Sequence, residues 1–199
     1  MKGAHITRTL SAESFKFFSI DVANEQAVSD FFLTSEIQNF HLSCLVTCAG
    51  ILDLCDIAEI GFDSWNKVVD TNLTGTFLFF RNAIRKIKND GNQATLYAIG
   101  SRWGNEGHTK ASAYSASKAA LRAFVKSVQY DLIGSRIRAM LISPGSVAGT
   151  MSTSVDAKND AVYIDPNQIG ALIAFINKTD ANVLFDEISI KAYPYDYQA

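Results

Sequence analysis

The spacing of apolar and polar positions changes character several times along the chain. Residues 25–34 place Ala27, Val28, Phe31 and Phe32 on one side of a 3.6-residue period, which predicts an amphipathic helix. The same period predicts one long helix over 64–88, a second over 114–132, and a shorter one over 165–178 with Asp165 or Asn167 near its cap. Between them lie short apolar runs that read as strands, at 45–47, 94–99, 137–142 and 187–192. Residues 5–10 and 15–20 read as two more strands, joined by a Ser-Ala-Glu-Ser turn. Strands alternating with long helices imply βαβ units, because parallel neighbours need a crossover connection. The expected fold is therefore α/β around a parallel sheet. Such sheets bind ligands beyond the carboxyl ends of their strands, which directs attention to Asp21 and to residues 47–50, 100–102 and 143–147.

Composition narrows the picture further. With 48% hydrophobic and 19% charged residues over 199 positions, the chain can bury a core and is not of the disordered class. It contains no linker, repeat or charged tail, and one domain over 1–199 is expected. The net charge of −2 offers no basic excess, so nucleic acid is not an expected partner. No apolar run approaches the ~20 residues that span a bilayer, and no secretory leader opens the chain, so no membrane association and a cytoplasmic location are expected. Cys44, Cys48 and Cys55 lack C-x-x-C spacing and read as small buried hydrophobes. His5, His41 and His108 are scattered, and no metal site is expected.

The sharpest chemical feature is Tyr114-Ser-Ala-Ser-Lys118. A tyrosine and a lysine four apart on a helix share a face. A neighbouring ammonium favours the phenolate, so the pair is expected to give a proton donor and acceptor usable near neutral pH. Ser101 follows the predicted strand 94–99, where its hydroxyl could hold a ligand oxygen. Asn72 lies within the predicted helix 64–88, although asparagine competes there for backbone hydrogen bonds. A kink, or a bond from its side chain to the backbone, is expected at that point.

In this order, and with Pro144-Gly145 after the next strand, Asn72, Ser101, Tyr114 and Lys118 resemble the tetrad of the short-chain dehydrogenase/reductase family. The resemblance runs from about Gly3 to the C-terminus. It implies a Rossmann-like, doubly wound parallel sheet in three α/β/α layers. It also implies an NAD(P)-dependent oxidoreductase that interconverts a carbonyl and an alcohol of a small molecule. Tyr114 would exchange the proton with the substrate, and Lys118 would lower the tyrosine pKa and hold the nicotinamide ribose. Ser101 would hold the substrate oxygen, and Asn72 would support a water that feeds a relay to Lys118. Cofactor contacts would come from Asp21 and Val22 near the adenine and from Cys48, Ala49 and Gly50, which stand where the family has Asn-Ala-Gly. Pro144, Gly145 and Val147 would meet the nicotinamide amide. Arg102, Trp103 and His108 stand between Ser101 and Tyr114 and could line the substrate pocket. The family's pairing of two long helices, here 64–88 and 114–132, implies a homodimer or homotetramer.

One departure from the family pattern is large. The glycine-rich turn T-G-x-x-x-G-x-G that cradles the pyrophosphate is absent, and Gly3 is the only glycine before Gly50. Residues 3–8 resemble the family's second strand, so roughly 25 residues, one βα unit, are expected to be missing and the fold N-terminally truncated. Arg8 follows that stretch, where a basic residue would meet the 2′-phosphate, so NADP is expected over NAD. The alternative is a catalytically impaired or non-enzymatic relative, a scaffold or partner subunit with weak or no cofactor binding.

Overall fold

The computed structural model describes residues 16–153, 162–180 and 182–193. Four parallel strands form a sheet in the order β1-β2-β3-β4: Cys44–Thr47, Ala94–Ile99, Ile137–Pro144 and Glu187–Ile190. The register sets Leu45 beside Leu96, Leu96 beside Ala139, and Ile142 beside Ile188. The central strand β2 is apolar almost throughout, because both of its faces are covered. Alternation sends Leu96 and Ala98 to one side and Tyr97 to the other, and each set enters a separate core.

One face is covered by α1 (Glu25–Leu33), α4 (Gly75–Asp90) and α6 (Ser112–Asp131), through Val28, Phe32, Leu78, Phe80, Leu121 and Val125. The side chain of Asn24 caps α1 by accepting from the backbone N–H of Ala27. Phe31 and Phe32 then meet Phe79 of α4 at centroid distances of 6.0 and 5.8 Å. The other face is covered by α8 (Pro166–Asn177), with Ile176 fully buried against Tyr97, Met140 and Ile142. Asp165 caps α8 by accepting from the N–H of Asn167, and Pro166 sits in the first turn. Helices on both faces make the three α/β/α layers expected from the sequence. Short helices complete the described structure: α2 (Ser35–Gln38), α3 (Phe62–Val69), α5 (Trp103–Glu106) and α7 (Thr150–Thr153).

Several expectations change. The predicted helix 64–88 is not one uniform rod: α3 passes through a π-helical turn, Asp70–Thr74, before α4 begins. Asn72 lies in that turn. Of the predicted strand 15–20, residues 16–20 belong to no strand among the described residues. An apolar run becomes a strand only when a ladder partner takes its N–H and C=O groups, and β1 has its one described partner in β2. The predicted strand 5–10 and Arg8 lie outside the described residues. The cysteines are not buried: Cys48 is exposed, Cys44 and Cys55 are half-buried, and all three are free.

Candidate functional site

The carboxyl ends of β1, β2 and β3 open into a cavity of about 350 Å³. Cys48 and Gly50 reach it from the turn after β1, Gly100, Ser101, Arg102 and Trp103 from the turn after β2, and Pro144 to Val147 from the end of β3. Tyr114 and Lys118 enter from the first half of α6. Tyr114, Ser101 and Lys118 come together although Ser101 belongs to a different element from the other two. That convergence follows from the parallel sheet, which puts successive strand ends on one edge.

The turn in α3–α4 supplies the support. Asn72 is fully buried. Its Oδ1 accepts from the backbone N–H of Ile51 at 2.8 Å, and its Nδ2 donates to Ile51 O and to Ser117 Oγ, each at 3.0 Å. One side chain thus pins the turn after β1 to α6, one residue before Lys118. Both the distorted helix and the side-chain-to-backbone bond expected at Asn72 are present. Gly50 sits directly over this joint: a Cβ there would stand 3.4 Å from Asn72 Oδ1 and 3.7 Å from Lys118 Nζ. Gly104 plays the matching part under α6, where a Cβ would stand only 2.9 Å from the Lys118 carbonyl carbon.

Lys118 is buried and donates to Ile99 O at 2.7 Å. Burial lowers its pKa from 10.5 to about 8, against a weaker upward pull from Cys48. Its Nζ lies 5.7 Å from the centre of the Tyr114 ring. The expectation that Lys118 lowers the Tyr114 pKa is not met in this state of the protein. Burial raises the Tyr114 phenol above its ordinary 10, the hydrogen bond with Ser101 opposes that, and Cys48 adds to the rise. Loss of hydration outweighs the hydrogen bond with Ser101, and the Lys118 ammonium is bonded to Ile99 O. The Tyr114 phenol therefore keeps its proton at neutral pH. Ser101 also accepts from the Trp103 N–H at 3.2 Å, which starts α5 and orients the hydroxyl.

The remaining expected residues divide. Cys48, Gly50, Pro144, Gly145 and Val147 line the cavity, as do Arg102 and Trp103. Ala49 is exposed and does not line it. His108 does not either; it stacks on Trp103 with ring centroids 3.8 Å apart. Asp21 and Val22 also lie away from the cavity. Asp21 accepts from the Ala23 N–H, and Val22 packs where a Cβ on Gly75 would come within 3.0 Å of it. Nothing in the sequence reading pointed to the apolar wall made by Ile169 and Ile173 of α8. Their helical spacing marks a buried face, which packs beside Tyr97, Met140 and Ile142 of the sheet, just after the bridge between Val147 and Ile164.

An α/β/α sandwich with tyrosine, serine and lysine gathered at its strand ends is the arrangement that the sequence resemblance implies. The chain belongs to the short chain dehydrogenase family, whose model matches residues 2–160. It is 30% identical over 156 residues to a cyclopentanol dehydrogenase of Comamonas sp. (strain NCIMB 9872), covering 77% of this chain and 62% of that one. The chain therefore spans somewhat under two thirds of the length of that relative. An uncharacterized oxidoreductase of Staphylococcus aureus (strain MW2) is 24% identical over 187 residues, covering 94% and 80%. Among solved structures, serine dehydrogenase from Escherichia coli matches with a TM-score of 0.72 at 22% identity, over 85% of this chain and 72% of that one. A 4-hydroxyisoleucine dehydrogenase complexed with NADH matches with a TM-score of 0.78 at 22% identity, over 89% and 79%. At these identities the structural matches establish the fold.

Proposed function

We propose that the protein is an NAD(P)-dependent oxidoreductase, acting as one domain, that interconverts a carbonyl and an alcohol of a small molecule. The observation that carries this reading is the convergence of Tyr114, Ser101 and Lys118 at one cavity, braced from behind by Asn72. The family membership and the naming of its relatives as dehydrogenases and oxidoreductases support it.

The residues present fit the nicotinamide half of the cofactor. Gly50, Gly100 and Gly145 keep the cavity wall close to bare backbone, and Lys118 has given only one of its three N–H donors to Ile99 O. Lys118 would hold the ribose hydroxyls, and Cys48, Gly50, Pro144, Gly145 and Val147 would surround the ring. Asp21, Val22 and Ala49 would belong to the adenosine half, beyond the cavity. The cofactor, when bound, supplies or accepts the hydride. In reduction, Ser101 holds the carbonyl oxygen and Tyr114 gives it a proton. A phenol kept above its ordinary pKa is suited to that direction. Lys118, poised at about 8, can pass a proton onward to the phenolate. Asn72 acts as a positioning residue, since its amide is engaged by Ile51 and Ser117. The preference for NADP rests on Arg8. Assembly into a dimer or tetramer is supported by the exposed alanines 119, 120 and 123 on α6.

The test is calorimetric titration of the chain with NADPH and then NADH, followed by a carbonyl screen on wild type and Tyr114→Phe. Micromolar cofactor binding and turnover that drops by about two orders of magnitude or more in the variant, with cofactor affinity retained, is expected. A folded protein that binds neither cofactor would overturn the proposal in favour of the non-enzymatic alternative.

A further inference from the structure

Among the described residues, Tyr114 and Trp103 are the two aromatic side chains on the cavity wall. Trp103 has no part in the proton chemistry, yet it touches both groups that would hold the reacting oxygen. Its backbone N–H donates to Ser101 Oγ at 3.2 Å. Its ring meets the Tyr114 ring nearly at right angles, 86° between planes and 5.9 Å between centroids. The indole is also backed from outside the cavity. The His108 imidazole stacks on it with centroids 3.8 Å apart and planes 16° apart, although His108 does not line the cavity. The indole surface that meets the cavity is therefore not the one under the imidazole. The backbone next to it is closed against α6, where a Cβ on Gly104 would stand 2.9 Å from the Lys118 carbonyl carbon.

The wall around this indole is apolar. Leu52 packs with Trp103 and Tyr114 in one apolar cluster, and Ile99, Ile169 and Ile173 belong to another. The two cations on the wall are engaged within the protein: Lys118 donates to Ile99 O, and Arg102 pairs with Glu106 at 3.3 Å. Such a lining favours a ligand that brings a large apolar surface and few polar groups. With the reacting oxygen between Ser101 and Tyr114, a substituent on the reacting carbon falls beside Trp103. A planar ring joined directly to that carbon suits the place. Conjugation keeps ring and carbonyl in one plane, so little freedom is lost on binding, and an aromatic ring gains stacked or edge contact with the indole.

Resting on the oxidoreductase reading, we infer that Trp103 selects the substrate class: aryl ketones and aryl aldehydes, and the alcohols they yield, with the ring bonded to the reacting carbon. Ser101 and Tyr114 hold the oxygen, and the ring lies against the indole. The carbonyl carbon takes a hydride from the reduced nicotinamide, the oxygen takes the Tyr114 proton, and the products are the aryl alcohol and the oxidised nicotinamide.

The experiment compares acetophenone with cyclohexyl methyl ketone, which carry the same acetyl group on a flat and on a puckered ring, in wild type, Trp103→Leu and Trp103→Phe. The ratio of their kcat/KM values is compared between proteins, so the intrinsic reactivity of each ketone cancels. Trp103→Leu is expected to lower the acetophenone ratio by about five- to tenfold, the scale of one aromatic pair, and Trp103→Phe to restore most of it. An unchanged or raised ratio in Trp103→Leu overturns the inference. If NADPH affinity falls while the ratio stands, the indole belongs to the cofactor instead. Binding of benzamide and cyclohexanecarboxamide, unreactive analogues with the same two rings, is followed by ligand-observed NMR and needs neither turnover nor cofactor. Tighter binding of benzamide that Trp103→Leu abolishes is expected. Equal binding of the two amides, or none, overturns the inference. A ring preference in a protein that reduces neither ketone supports the aryl site and counts against the oxidoreductase reading, whereas turnover without the preference does the reverse.

Discussion

Replacing Lys118 by methionine removes a buried ammonium whose cost can be read from its titration. Burial lowers this group from 10.5 to about 8. Between those values the unfolded chain binds a proton that the folded chain does not, so stability rises with pH through this window. At pH 7 the shift costs the folded wild type about 3 kcal/mol relative to a lysine of ordinary pKa, and at pH 9.5 about 1 kcal/mol. Wild type should therefore gain about 2 kcal/mol on Lys118→Met between pH 7 and pH 9.5. Lost packing and the lost bond to Ile99 O enter the comparison almost equally at both pH values, as do other titrating groups. Tyr114 has its folded pKa raised above 10, so its own destabilising effect sets in as the unfolded phenol titrates around 10; it is slight at pH 9.5 and common to both proteins. Urea unfolding of both proteins at the two pH values, analysed with a common m-value, measures the difference. Parallel stability changes, or a gap that widens in favour of the variant, would refute the burial argument.

Other outcomes follow from the same packing. Asn72→Ala should lower stability by about 2–4 kcal/mol, because it strands the Ile51 N–H and C=O and removes the bond that the Ser117 hydroxyl, itself donating to Tyr114 O, accepts. Denaturant titration measures this, and a loss below about 0.5 kcal/mol would show that water replaces the amide. Gly104→Ala should cost roughly 1–3 kcal/mol, because its methyl would meet the Lys118 backbone at 2.9 Å and neither helix can yield without moving the site. Gly170→Ala, on the exposed side of α8 with nothing within 4 Å, should instead raise stability by about 0.5–1 kcal/mol. Thermal melting of the two alanine variants side by side checks both signs.

The helices α1, α6 and α8, the strands β1 to β4 and the cap at Asp165 were legible in the sequence because each depends on neighbours a few residues away. A period of apolar positions or an oxygen at a helix start acts over one or two turns. The strand ends were legible as the place for a cavity, and Tyr114, Ser101 and Lys118 as residues that meet there. The loss of the strand expected at 15–20 was not legible, because strand formation needs a distant partner for the ladder. Nor was the wall of Ile169 and Ile173, which depends on the packing of α8 against Tyr97, Met140 and Ile142 on distant strands. Least legible were the directions of titration. The Tyr-x-x-x-Lys spacing by itself argues for a lowered phenol, yet the packed protein raises Tyr114 and lowers Lys118. Spacing is a property of one helix, whereas desolvation sums over every element that closes around a group, so only the tertiary structure decides it.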